Sequence, residues 1–208
     1  MNLKFSRIMI EAIIFDFGDV FIDLNKQAID SEFRKLGLTA WHDDLDTLNK
    51  KYEIGKIDEL EFIQGFQKHL PNADLTEIRA AWNSILGDFP LKRLEFLQMI
   101  ASKYRLFLLS NTDHTHIEKF EHKEGQTFAR DFYSCFEKVY FSYEIGIRKP
   151  DENAFRYIIN NHNLNPKKTL FIDDKKENTD VAEKLGFKIW NIQPGVEDVT
   201  QLFDKKII

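Results

Sequence analysis

Residues 12–20 read Ala-Ile-Ile-Phe-Asp-Phe-Gly-Asp-Val, and the fold turns on how this stretch is understood. The apolar run Ala12–Phe15 is continuous rather than alternating. That is the pattern of a strand covered on both faces, as in a parallel sheet flanked by helices. Asp16 stands where such a strand ends. Three further runs repeat the arrangement: Leu106–Leu109 before Ser110-Asn111-Thr112, Val139–Phe141 ahead of Gly146-Ile147-Arg148-Lys149-Pro150-Asp151, and Leu170–Ile172 before Asp173-Asp174-Lys175. A fifth candidate strand, Phe187–Ile192, follows Gly186, whose position suits the end of a helix. Helical patterns at Asp151–Asn161 and Asn178–Leu185 lie between the later strands, so the chain reads as a doubly wound α/β fold with a mainly parallel sheet and right-handed crossovers.

One interval breaks the rhythm. Between Asp23 and about Leu94 there is no strand pattern, only helical spacing: Ile29, Phe33 and Leu36 on one face, then Leu60, Ile63 and Phe66, then Ile78, Trp82 and Ile85. Asp58 with Glu61 and Asp74 with Glu77 have the spacing of helix-starting capping boxes. An insertion of about 70 residues is too long for a crossover and too structured for a loop. The expected organisation is therefore an α/β core, residues 1–24 and 95–208, with a helical cap over residues 25–94.

The 208 residues are 43% hydrophobic and 30% charged, with 19 Phe, which supports one large buried core and excludes wholesale disorder. A net charge of −5 argues against nucleic acid, which needs a basic footprint. It leaves a small phosphorylated ligand open, because local charge decides that. The lone Cys135 excludes an internal disulfide and fits a reducing cytosol; among aromatics it reads as a buried structural thiol. No run approaches the ~18 apolar residues of a membrane span, and Glu11 and Asp16 interrupt any signal-like segment. A cytoplasmic protein, monomeric by default, is expected. Met9 sits just before the first strand, so the first eight residues read as an extension.

In open α/β sheets ligands bind beyond the carboxyl ends of the strands, so the four polar clusters can converge. Asp16 can attack phosphorus and form an aspartyl-phosphate, or it can simply start a turn before Gly18. Ser110, Asn111 and Thr112 offer a hydroxyl, an amide and backbone N–H groups to a phosphoryl oxygen, or an ordinary helix cap. Pro150 can begin a helix at its first turn and hold Lys149 at the boundary, where an ammonium could neutralise nucleophile and phosphoryl group; otherwise Arg148 and Lys149 are a solvated basic pair. Asp173 and Asp174 repel each other unless a cation or a lysine lies between them. Few, hard oxygen ligands point to Mg²⁺ rather than to an exposed acidic turn.

The order Asp, Ser-Asn-Thr, Lys-Pro, Asp-Asp at successive strand ends resembles the haloacid dehalogenase superfamily of phosphohydrolases, with the helical insertion in the position of that superfamily's C1-type cap. The finer pattern is similar to the subgroup holding bacterial α-D-glucose-1-phosphate phosphatase and the phosphatase domain of soluble epoxide hydrolases. The resemblance implies a Rossmann-like core and a Mg²⁺-dependent phosphohydrolase acting on a small phosphorylated metabolite such as a hexose 1-phosphate. It makes Asp16 nucleophile and metal ligand, Gly18 a ligand through its backbone carbonyl, and Asp174 a ligand through its carboxylate. Asp173 would support the ion through water or hold Lys149, Ser110 and Asn111 would hold the phosphoryl oxygens, and Lys149 would offset charge. Most phosphatases of the superfamily carry an acid two residues after the nucleophile, where this chain has Gly18; Asp19, one further, should face elsewhere. General acid help contributes ~10²–10⁴-fold, so a good leaving group, a water or a substrate hydroxyl is expected to compensate.

Three alternatives stand beside this reading. A 2-haloacid dehalogenase would need no metal, against the intact Asp173-Asp174 pair. A receiver domain would carry its acidic pair on the first strand and have no cap. A degenerate protein that binds a phosphometabolite or a protein without turnover has Gly18 as its support. His114, His116 and His122 could suggest zinc, but no cysteine is near and they follow the Ser-Asn-Thr loop. Trp41, Trp82 and the Phe residues of the insertion read as core, with one or two facing the site.

Overall fold

The apolar runs pair as a five-stranded, all-parallel sheet in the order β3-β2-β1-β4-β5. Its strands are β1 (Ala12–Phe15), β2 (Arg105–Ser110), β3 (Lys138–Phe141), β4 (Thr169–Asp173) and β5 (Lys188–Asn191). The computed structural model describes residues 9–205 and 207–208; the expected extension over the first eight residues lies outside them. Helices α1 (Lys26–Lys35), α2 (Asp43–Tyr52), α3 (Glu59–Gln67) and α4 (Leu75–Asn83) follow β1. Next come α5 (Leu91–Ala101) ahead of β2, α6 (His114–Glu124) and α7 (Gln126–Ser134) ahead of β3, α8 (Ser142–Ile145) and α9 (Glu152–His162) ahead of β4, and α10 (Lys176–Lys184) ahead of β5.

Continuous apolar strands are what a sheet covered on both sides requires, and here successive strand residues feed opposite faces. Ile13, Phe15, Leu106, Leu108, Leu170 and Ile172 join one core with Phe21, Phe89, Phe120 and Phe132. Ala12, Ile14, Phe107, Leu109 and Phe171 join a second with Phe155 and Ile158 of α9. Gly186, at φ +95°, follows α10 and turns the chain into β5.

The insertion has its own core of Phe33, Phe62, Ile63, Phe66, Ile78 and Trp82. Both capping boxes form: Asp58 and Asp74 each accept from the N3 backbone, while Glu61 and Glu77 accept from the cap residue's own N–H. Two expectations for this region are corrected. Leu60 is exposed, and Phe62 takes the inward place. Trp41 is 46% exposed at the edge of the cap core, its rim against Phe33 and Phe66 and its Nε1 donating to Asp46. Cys135 likewise is half-buried at the margin of the sheet core, and burial raises its thiol.

The chain leaves and re-enters the core side by side. Asp23 N donates to Asp88 O, Gly87 N to Asp23 O and Asn25 N to Ile85 O, so residues 23–25 pair antiparallel with 85–88. Residue 94 lies within α5, whose Leu94 and Leu97 pack on the sheet core, and the returning chain pairs with the outgoing one at 85–88. Among the described residues no helix is long and apolar enough to cross a membrane.

Candidate active site

The carboxyl ends of β1, β2 and β4, with the loop after β3, bring the predicted residues together. Lys149 is fully buried and donates to Asp16 Oδ1 at 2.8 Å and to Asp173 Oδ2 at 2.7 Å. Its ammonium also lies 5.5 Å from the centre of the Phe171 ring. Burial alone would depress the Lys149 pKa, but the two carboxylates outweigh it and raise it, so the lysine is charged.

Asp173 is saturated. Besides Lys149 it accepts from Lys175 N at 2.8 Å and from Asn178 Nδ2 at 3.0 and 2.9 Å. It holds Lys149 and has little capacity left as a ligand. Asp174 beside it accepts no hydrogen bond through its side chain among the described residues, while Asn191 Nδ2 fixes the carbonyls of both aspartates at 3.1 and 2.8 Å. Oxygens of Asp16, Asp173 and Asp174 lie within 4.8 Å of one another. Burial raises Asp16 to about 7, with Lys149 pulling it down and Asp173 and Asp174 pushing it up. Asp174 is also raised, first by burial and then by Asp173 and Asp19. Three carboxylates against one ammonium leave an excess negative charge that a divalent cation balances. The hard carboxylate oxygens of Asp16 and Asp174 are of the kind that Mg²⁺ takes.

Ser110, at the end of β2, is buried, and its hydroxyl makes no hydrogen bond among the described residues. Asn111 has a structural task besides the one expected of it. Its Nδ2 donates to Lys149 O at 2.8 Å and its Oδ1 accepts from Lys149 N at 2.9 Å. With both amide ends on the lysine's backbone, the side chain is a brace, and its second Nδ2 hydrogen and the backbone N–H of Asn111 are left to meet a phosphoryl oxygen. Ser142 repeats the device one residue along, accepting from Thr112 N and donating to Thr112 O, both at 3.0 Å. Pro150 does not open a helix as expected. Asp151 caps α9 through Asn153 N, and the Lys149–Pro150 peptide is cis.

At the first loop, a Cβ on Gly18 would stand 2.9 Å from Leu24 Cδ1. The space of the missing acid is thus filled by Leu24 of the crossing. Asp19, at φ +56°, is already engaged: it accepts from Leu24 N and Lys26 Nζ, both at 2.9 Å. No carboxyl therefore replaces the missing acid locally.

The cap seats directly on this machinery. Tyr52 hydroxyl bonds Thr115 Oγ1, and Trp82 Nε1 donates to Asp113 Oδ2 at 3.1 Å. His116 stacks on Trp82 at 4.9 Å and pairs with Asp113 at 3.0 Å. Arg148, next to Lys149, pairs with Glu53 at 2.7 Å, and a Cβ on Gly55 would overlap the Tyr143 carbonyl. The three histidines suggested for zinc are not gathered. His114 does come near Glu59 and Glu118, but Arg79 pairs with both carboxylates, so the group is an ion-pair seam.

Asn191, Ser142 and Leu24 carry no sequence signal of their supporting roles. Asn178 does: it follows the Phe-Ile-Asp-Asp stretch, five residues beyond Asp173 on the next helix, as part of the pattern that carries the resemblance.

A parallel sheet with an acidic centre at its carboxyl edge and an inserted helical cap make the chain a capped, doubly wound α/β protein with its ligand site at the strand ends. It belongs to the haloacid dehalogenase-like hydrolase family, which it matches over residues 10–186. A D-ribitol-5-phosphate phosphatase of Bacteroides thetaiotaomicron is 30% identical over 199 residues, covering 91% of this chain and 95% of that protein. The structure of a haloacid dehalogenase family enzyme of the same organism, in complex with magnesium and inorganic phosphate, is 33% identical. It superposes with a TM-score of 0.83 over 93% of this chain and 99% of that one. A predicted hydrolase of the family from Porphyromonas gingivalis is 28% identical, with a TM-score of 0.81 over 95% and 97% of the two chains.

Proposed function

We propose that this protein is a Mg²⁺-dependent phosphatase that cleaves the monoester of a sugar or sugar-alcohol phosphate through an aspartyl-phosphate on Asp16. The observation that carries the reading is the buried Lys149 bridging Asp16 and Asp173, with Asp174 beside them, at the open edge of the sheet. The names of the relatives support phosphate esters as the substrate class.

Asp16 and Asp174, with the Gly18 carbonyl, would hold the ion, which when bound supplies charge neutralisation for the phosphoryl oxygens. Lys149 keeps Asp16 Oδ1 oriented and lowers the repulsion between carboxylate and substrate. The free carboxylate oxygen of Asp16 attacks phosphorus, the P–O ester bond breaks, and the electron pair leaves with the alcohol oxygen. Ser110 and the Asn111 N–H position the transferring group. The leaving oxygen takes its proton from water or a substrate hydroxyl, since Gly18 offers none. Water then attacks the aspartyl-phosphate, releasing inorganic phosphate and restoring Asp16.

The test is phosphate release with and without Mg²⁺ over a panel including ribitol 5-phosphate, a hexose 1-phosphate and its 6-phosphate. Mg²⁺-dependent turnover that falls at least ~10³-fold in Asp16→Asn is expected for loss of the nucleophile. Turnover that survives Asp16→Asn overturns the mechanism, and no turnover across the panel overturns the enzymatic reading. A preference for the 1-phosphate would show that a good leaving group compensates for Gly18; a preference for a primary ester would assign that role to water or a substrate hydroxyl.

A further inference from the structure

Among the described residues three buried side-chain oxygens lack a hydrogen-bond partner, those of Asn49, Asn83 and Asn178, and Asn83 is the one beside the contact of the cap with α6. Asn83, the last residue of α4, is 5% exposed. Its Oδ1 is buried without a hydrogen-bond partner, and its Nδ2 makes no hydrogen bond among the described residues. Buried amides are normally paired, because an orphaned acceptor forfeits its hydration for nothing in return. The neighbours of Asn83 show the contrast: Trp82 donates to Asp113, His116 meets the Trp82 carbonyl, and Arg79 holds Glu118.

Its place in the fold suits a ligand. Helix residues four apart share a face, so Asn83 stands one turn beyond Arg79, which reaches Glu118 of α6. Trp82, immediately before it, is tied to Asp113, the cap residue of α6 that follows the Ser110–Asn111 loop by two residues. Leu86, three residues after it, pairs with Leu24, whose side chain lies over Gly18. Asn83 is thus fixed between two contacts, one beside the proposed phosphate loop and one beside the loop of Asp16.

We infer that Asn83 is a specificity residue that takes a hydroxyl group of the substrate. A hydroxyl is donor and acceptor at once: it gives its hydrogen to Oδ1 and accepts from Nδ2. The site then selects polyhydroxylated phosphate esters over aryl or simple alkyl phosphates, because a substrate without that hydroxyl leaves the buried amide unpaired. This assignment rests on the phosphatase reading above and narrows it to a substrate class.

The experiment compares kcat/KM for ribitol 5-phosphate with kcat/KM for phenyl phosphate, in the wild type, Asn83→Leu and Asn83→Ala. Either substitution should lower the ratio of polyol to aryl ester about 10- to 100-fold, the range for one hydrogen bond between substrate and a buried group. Asn83→Leu should also leave the Tm of the ligand-free protein unchanged or raised, since it removes an unpaired polar group and keeps the branched shape and the number of heavy atoms. Equal losses on both esters, or a fall in Tm, would make Asn83 a structural residue and overturn the inference. A wild type that cleaves both esters with the same kcat/KM overturns the assignment and spares the phosphatase reading. A wild type inert on every ester overturns both.

Discussion

Asn111 grips the backbone of Lys149 with both ends of its amide, and Ser142 does the same for Thr112 with its hydroxyl. The loops after β2 and β3 are therefore joined into one unit before any substrate arrives, which is how a site holds a charged group still at low reorganisation cost. Asn111→Ala leaves an N–H and a carbonyl of Lys149 unpaired, at about 2–4 kcal/mol of stability by urea unfolding. Turnover should fall with it through kcat more than KM, since the displaced lysine matters most when charge develops. A change under about 0.5 kcal/mol would mean that water replaces the brace. Asp16, Lys149, Asp173 and Asp174 could be singled out from sequence because each ends or follows an apolar run, and strand ends converge in this class of sheet. The brace could not, because Asn111 and Lys149 are joined by a contact that neither local pattern encodes.

The start of α6 is the element on which the cap rests. Asp113 and His116, buried beneath Trp82 and Tyr52, form its ion pair. Burial works against the charge on His116, but the Asp113 charge and hydrogen bond outweigh it and raise the pKa above the ordinary 6.5. Asp113 is held below its ordinary 3.8; burial opposes this and His116 overcomes it. The signs then give a window. The histidine's contribution is complete below pH 6.5 and is lost as pH rises through its folded pKa. The aspartate's is present above 3.8 and lost as pH falls. The Tm of the wild type minus that of His116→Gln should peak between about pH 4 and 6.5 and shrink on either side. A difference independent of pH would show that the ring contributes by packing alone. Helix starts such as Asp58 and Asp74 were legible because a capping box is written in four consecutive residues. The paired crossings at 23–25 and 85–88 were not, since two or three residues of pairing carry no periodicity.

Across the whole molecule, Arg93 binds the crossing to the core. It donates to Phe21 O at 2.9 Å, to Asp23 at 2.7 Å and to Asp198 at 3.1 Å, tying the first crossing, α5 and the C-terminal segment together. The doubly wound plan could be read from continuous strands and intervening helices; this clamp spans residues far apart in sequence and could not. The cap owes its stability to its own stacked aromatics, Phe33 on Phe66 at 4.9 Å and Tyr52 on Phe62 at 4.3 Å. Phe66→Ala should cost about 3–5 kcal/mol, and stopped-flow refolding should be slowed rather than unfolding merely accelerated. An unchanged refolding rate would count against an early role for the cap.

That expectation follows from Leu24 meeting Leu86. Strands β1 and β2 are adjacent in the sheet, yet about ninety residues of chain separate them. Parallel pairing over such a distance is entropically slow. Once the inserted helices have folded and drawn their two ends together, the effective loop shrinks to about thirty residues, worth about 1 kcal/mol of closure entropy. Seen in this way, the lid is also a splint: it shortens the search by which the first two strands of the catalytic sheet find each other.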